Sequence, residues 1–172
     1  MLVLATAVAL TAPSPAAAAG RASLSAPNTA ATRFYETYLQ LRVRGLPSAR
    51  QRKLLWPLLT PDLQRLLESA QREQDRYTNE HPEDTPPWCE GDLFSSLFEG
   101  AQSFRLGTAD TRGNRAEVPA HLTYRDRKDV VRWTDTLVLE RIGQSWRVFD
   151  IRFNGTWDFK SGDSLRRVLR IE

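Results

Sequence analysis

One cysteine and two histidines are nearly all that this chain of 172 residues offers in soft metal ligands. With Cys89 alone, no disulfide can close within the chain, so stability has to come from a packed core. His81 and His121 lie far apart in sequence, and no zinc spacing can be built from them and Cys89. No glycine-rich phosphate loop and no G-x-S-x-G elbow is present. These absences leave no metal set and no cofactor to expect. The apolar run from Leu2 to Leu10 is too short to cross a bilayer, so no membrane span is expected. Charge of one sign is scarce too. The chain carries 24 basic and 21 acidic residues, a net charge of +3, and the two signs interleave. A nucleic-acid face wants clustering and a larger excess, so that class is set aside.

What is present begins with an export signal. Residues 2 to 19 carry no charge, and Ala17-Ala18-Ala19 follows Pro13 and Pro15 as an A-x-A-like cleavage site. The reading is a signal peptide over 1–19, a flexible lead-in over 20–28 and a single domain over 29–172, in the periplasm or outside the cell. No basic residue follows Met1, which leaves the true translation start open. Cys89 lies far from the signal and is read as a buried or inert thiol.

Helical spacing comes first along the domain. Phe34, Tyr38 and Leu41, widened by Tyr35 and Leu39, predict a helix over 28–44 that ends at Gly45. Ser48 can cap a short helix that stops at Pro57. Thr60-Pro61-Asp62 opens a third, with Leu63, Leu66, Leu67 and Ala70 on one face and a wholly polar continuation beyond. After the proline-rich stretch 81–92, Leu93, Phe94, Leu97 and Phe98 suggest one or two helical turns. Ser161 to Asp163 can cap a last short helix carrying Leu165, Val168 and Leu169.

Strands fill the interval. Ser103–Asp110 and Arg115–Tyr124 flank a turn at Gly113, and Pro119 marks the second as an edge or bulged strand. The strongest signal is Val131 to Trp157, two strands about a turn at Gly143-Gln144. An unbroken register from that turn pairs Asp135 with Arg152, Glu140 with Arg147, Leu139 with Val148 and Thr136 with Ile151. It also distributes apolar residues over both faces: Trp133, Leu137, Leu139, Trp146 and Val148 on one, Val138, Phe149, Ile151 and Phe153 on the other. A hairpin covered on both sides over part of its length follows from that register. Helices first and an antiparallel meander after give an α+β fold, with helices on one face of a curved sheet.

The segments GDLFSSLFEGAQSF, RWTDTLVLE and WRVFDIRFNGTWDF, in that order, resemble a bacterial family of exported proteins of unknown function in the nuclear-transport-factor-like superfamily. The likeness spans about residues 30 to 170 and is most specific at 91–98 and 146–151. It implies a cone-shaped, cystatin-like α+β domain whose helices and bent sheet enclose a pocket. Superfamily members include dehydratases and isomerases as well as non-catalytic binding modules, so the resemblance implies architecture and not chemistry.

Two functional classes stay open. One is an exported non-catalytic binding module, holding a small apolar ligand or a protein partner, with homodimerisation through the open sheet face as a compatible third expectation. Its candidate contact residues are Tyr38, Trp88, Asp92, Phe94, Phe98, Trp133 and Trp157, and Trp88 is the ring expected to be partly exposed. The other is a small isomerase- or dehydratase-type enzyme with Asp150 as general base beside Tyr38 or Tyr35. The commoner role for Asp150 is a bond to a neighbouring strand, helix cap or arginine. Asp92 is most simply a helix N-cap, Asp135 a salt-bridge partner, and His121 an exposed edge-strand residue.

Overall fold

The computed structural model describes residues 26–127, 129–157 and 162–170. The signal peptide, most of the lead-in and the Ser161 cap lie outside the described residues. Helix α1 runs Pro27–Leu41, α2 Ala49–Leu55, and after a 3-10 turn at Trp56–Leu58, α3 runs Pro61–Glu80. Five strands follow: β1 Ser103–Leu106, β2 Asp110–Arg112, β3 Arg115–Asp126, β4 Asp129–Ile142 and β5 Ser145–Arg152. The short helix α4, Leu165–Val168, closes the described chain. None of the described helices is long and apolar enough to cross a membrane.

Local chemistry accounts for the helix ends. Ser48 and Gln51 form a reciprocal capping box at α2. The Thr60 hydroxyl accepts the Leu63 amide at α3, with Pro61 in the first turn. Helix α1 ends before Gly45 because Arg42 itself takes the left-handed conformation, φ 46°, and donates its amide to the Tyr38 carbonyl. The stretch 93–98 forms no helix. It is an irregular loop, and yet Leu93, Phe94, Ser95, Ser96 and Leu97 are all buried.

The sheet is antiparallel, ordered β1-β3-β4-β5, with β2 also pairing β3. Strand β3 therefore lies between β4 and the two short strands β1 and β2 and is not an edge. Pro119 is tolerated there because it stands opposite the break between β1 and β2. At that break only the Gly107 amide reaches across, to the Pro119 carbonyl. The outer edge of β5 is covered at its middle and at its C-terminal end. Thr60 donates its amide to the Val148 carbonyl, and Ser164 bridges Arg152.

The hairpin register holds from the turn to Leu139–Val148, with Glu140 opposite Arg147, and then shifts by one residue. Phe149 is the extra residue of a β-bulge, so Val138 meets Asp150, Leu137 meets Ile151 and Thr136 meets Arg152. That slip moves Ile151 and Phe153 to the inner face, beside Trp133, Leu137, Leu139 and Val148. The hairpin therefore packs mainly through this inner face, and its outer face is covered only locally, where Val138 is buried opposite Asp150. Its inner face adds Ala116, Val118, Ala120 and Leu122 from β3 and packs against Phe34, Tyr35 and Tyr38 of α1. The outer face is largely polar, with Arg115, Glu117, His121, Thr134, Thr136 and Arg152 on it. His121 is half-buried there, its Nδ1 2.9 Å from the Thr134 hydroxyl.

Two expected ion pairs are replaced by others. Arg152 pairs with Glu117 at 2.8 Å, and Glu140 with Arg115 at 3.5 Å. Both are partly exposed, which limits each to about 1 kcal/mol at most. Phe149 projects between two guanidinium groups, Arg115 at 3.4 Å and Arg166 at 4.1 Å from the ring centre.

Candidate functional site

Asp135 is the polar centre of the domain. Strand alternation places it on the inner face between Trp133 and Leu137, where it is fully buried. Among the described residues no arginine forms an ion pair with it. Its Oδ2 accepts the Ser96 amide at 2.9 Å and the Trp133 indole N–H at 3.1 Å. Its Oδ1 accepts the Asn154 amide at 3.1 Å and, in a very short bond, the Ser96 hydroxyl. Four donors thus offset the cost of burying a carboxylate. The Gly155 amide in turn donates to the Ser96 hydroxyl at 3.1 Å. This is how the irregular loop 91–100 and the segment after β5 are fastened to the sheet.

A second buried carboxylate fastens the same loop to α1. Asp92 Oδ2 accepts the Tyr38 hydroxyl at 2.6 Å, and Oδ1 accepts the Phe94 amide at 2.8 Å. Asp92 thus caps a local turn and not a helix, since no helix follows it. The Tyr38 hydroxyl also accepts the Ala101 amide at 3.1 Å. Burial, with Asp92 beside it, holds the Tyr38 phenol well above its ordinary pKa, so it stays a donor. The Asp92 amide donates to the Phe98 carbonyl at 2.8 Å, which closes the loop on itself.

Between the two carboxylates lies Tyr35, fully buried and stacked on Phe104 at 5.3 Å. Burial, and the fields of Asp135 and Asp92, raise its pKa strongly, and its hydroxyl has no hydrogen-bond partner among the described residues. A buried hydroxyl left unmatched costs stability. Tyr35→Phe is therefore expected to stabilise the domain by about 1 kcal/mol, read as a higher urea midpoint at unchanged m-value.

The remaining candidates divide by position. Phe94 is core, packed on Phe34 and Tyr38. Trp133 and Trp157 meet edge to face at 5.7 Å beside the Asp135 network. Asp150 Oδ1 accepts the amides of Ile151 and Arg166 at 2.8 and 3.0 Å, so the carboxylate ties β5 to α4. It lines neither the cleft at Trp88 and Phe98 nor the one at Tyr38 and Asp92.

Trp88 and Phe98 do come together. With Leu93, Val168 and Pro86 they frame a mainly apolar cleft of about 320 Å³. Trp88 is half-buried, its indole N–H donating to the Val168 carbonyl at 2.7 Å. Phe98 stands 40% exposed at the lip. Cys89, expected to be buried or inert, is exposed on the same cleft. A second cleft, of about 490 Å³, opens on the other side of the loop tip, where Glu99 and the Tyr38–Asp92 pair line it. Sequence reasoning missed Ser96 and the role of Asp135. The legible signal for both was an acidic residue in phase with Trp133 and Leu137.

No family model matches the chain, and no curated protein matches it. Among solved structures it is similar to a chain in the crystal structure of the type VI native effector-immunity complex Tae3-Tai3 from Ralstonia pickettii. Identity is 21%, coverage is 78% of this chain and 98% of that one, and the TM-score is 0.41. A likeness that loose carries no inference about this chain.

Proposed function

We propose that the chain is an exported, non-catalytic binding module of the nuclear-transport-factor-like kind, working in the periplasm or outside the cell. Its recognition point is the cleft between Trp88 and Phe98, and its partner is a protein that inserts an apolar side chain there. The observation that carries the reading is Phe98, a large ring 40% exposed on a loop whose neighbouring residues 91–97 are buried. Exposed aromatic rings beside an apolar cleft, on a rigid frame, are what binding hot spots consist of. The cleft accepts one side chain or a small apolar ligand of similar size. The enzyme alternative requires a carboxylate standing alone in an open pocket. Asp150, engaged with two backbone amides, supplies a structural tie instead.

The test is site-specific photo-crosslinking in the source cell, with benzophenone at position 98 and, as control, at the exposed turn residue Gly113. One discrete protein adduct is expected at 98 and none at 113. Excess wild-type domain should compete the adduct away, and Phe98→Asp protein should compete at least ~30-fold less well, the loss typical of a hot-spot anchor. No adduct at 98, or equal competition by Phe98→Asp, would overturn the reading.

A further inference from the structure

The cleft of about 490 Å³ beyond the loop tip has a different chemistry from the apolar one. Its floor is the Tyr38–Asp92 pair, whose hydroxyl is already engaged as donor and acceptor. Gln102 on its wall is also committed, since both ends of its amide bond the backbone of Arg125. The unengaged groups sit on the rim. Arg42 is exposed and its guanidinium makes no ion pair among the described residues. Arg44 makes a single bond, from Nη1 to the Phe98 carbonyl at 3.1 Å. Glu99 is exposed across the same space and forms no ion pair with either arginine.

Exposed ion pairs contribute little, so opposite charges around one cleft need not close on each other. Here neither arginine is paired with Glu99. Arg42 is set by its left-handed conformation at the end of α1, and Arg44 is tethered to the loop tip. Glu99 sits between that tethered carbonyl and Gly100, whose amide donates to the Leu97 carbonyl. The result is a polar space with two cations and a carboxylate among its lining residues. Tyr124 lines the wall as well. A guanidinium pair suits a carboxylate, and Glu99 suits an ammonium group.

We infer that this cleft is a binding site for a small zwitterion, an α-amino acid or a short peptide. The ligand's carboxylate sits on Arg42 and Arg44, and its ammonium group on Glu99. The volume is in the range of small-molecule sites and exceeds what a single amino acid fills, which leaves room for a second residue. The site is separate from the apolar cleft, and neither reading requires the other.

The experiment is a titration of the purified exported domain, followed by amide chemical shifts, with L-alanine, dialanine, acetate and methylammonium as separate probes. Either zwitterion should saturate shifts at residues 42–44, 99–102 and 124 with a Kd of ~1 mM or below, and the single-charge probes should bind at least ~10-fold more weakly. Preference between L-alanine and dialanine tells a free amino acid from a peptide source. Arg42→Gln and Glu99→Gln change exposed side chains, so the fold is retained, and each should weaken the zwitterion by about tenfold. Three results would overturn the proposal: no saturable shift with either zwitterion, acetate binding as tightly as dialanine, or variants that bind like the wild type.

Discussion

Asp135→Asn will destabilise the domain by about 3 kcal/mol, although it changes hardly any volume. The carboxylate faces donors on both oxygens. Ser96 and Trp133 N–H groups point at Oδ2, and the Asn154 N–H and the Ser96 hydroxyl at Oδ1. An asparagine amide must place its NH2 against at least one fixed N–H, whichever way it is turned. The Ser96 hydroxyl can rotate to accept, but the backbone and indole donors cannot. Each donor left buried without an acceptor costs about 1–3 kcal/mol. The measurement is urea unfolding followed by near-ultraviolet circular dichroism, where Trp133 and Trp157 report the site. A loss below about 1 kcal/mol would show that the loop 91–100 is held by its apolar side chains and not by Asp135.

Gly100→Ala is expected to cost about 3 kcal/mol or more, whereas Gly113→Ala should cost about 1 kcal/mol. Both glycines have positive φ, 80° and 61°, so both pay for forcing a side chain into the left-handed region. The difference is what a Cβ meets. At Gly113 nothing lies within 4 Å, while at Gly100 the added atom would stand 2.2 Å from Asp92 Oδ2 and 3.1 Å from the Tyr38 hydroxyl. Gly100→Ala therefore has to break the bond between α1 and the loop. Thermal or urea midpoints of the two variants, measured side by side, give the comparison. Equal losses would mean that the Tyr38–Asp92 bond contributes nothing to the fold.

How far the chain could be read from its letters follows from which features are periodic. The three N-terminal helices were legible because capping residues and apolar spacing agreed at Ser48, Thr60 and Phe34–Tyr38. The hairpin register was legible up to Val148, since glycine at the turn fixes it and nothing interrupts it before that point. It failed at Phe149, where one inserted residue changes phase without any local glycine or proline to announce it. The Asp135–Arg152 pair and the assignment of Ile151 and Phe153 to the face opposite Leu137 both failed through that slip. Pro119 misled for a related reason. Its missing N–H does call for a gap in pairing, but the gap lay between two short strands and not at the sheet edge. The loop 91–100 was read as a helical turn because Leu93, Phe94, Leu97 and Phe98 mimic helical spacing. Buried serine and aspartate side chains there satisfy the backbone without a helix. Of the candidate site, the apolar ring pair Trp88 and Phe98 could be named from sequence. The buried carboxylate network could not, because it is assembled from segments about 40 residues apart.

That loop has a consequence for molecular recognition. Its body is as inaccessible as any strand of the sheet, while its tip, Phe98 and Glu99, faces two clefts of opposite character. The conformational freedom that a surface loop usually loses on meeting a ligand is here surrendered during folding itself. On the binding readings proposed above, a partner arriving at either cleft meets a loop backbone already fixed in place. Variants that loosen Asp135 or Gly100 should therefore weaken recognition at the tip even where the domain still folds, by restoring to the unbound state an entropy that binding must then remove.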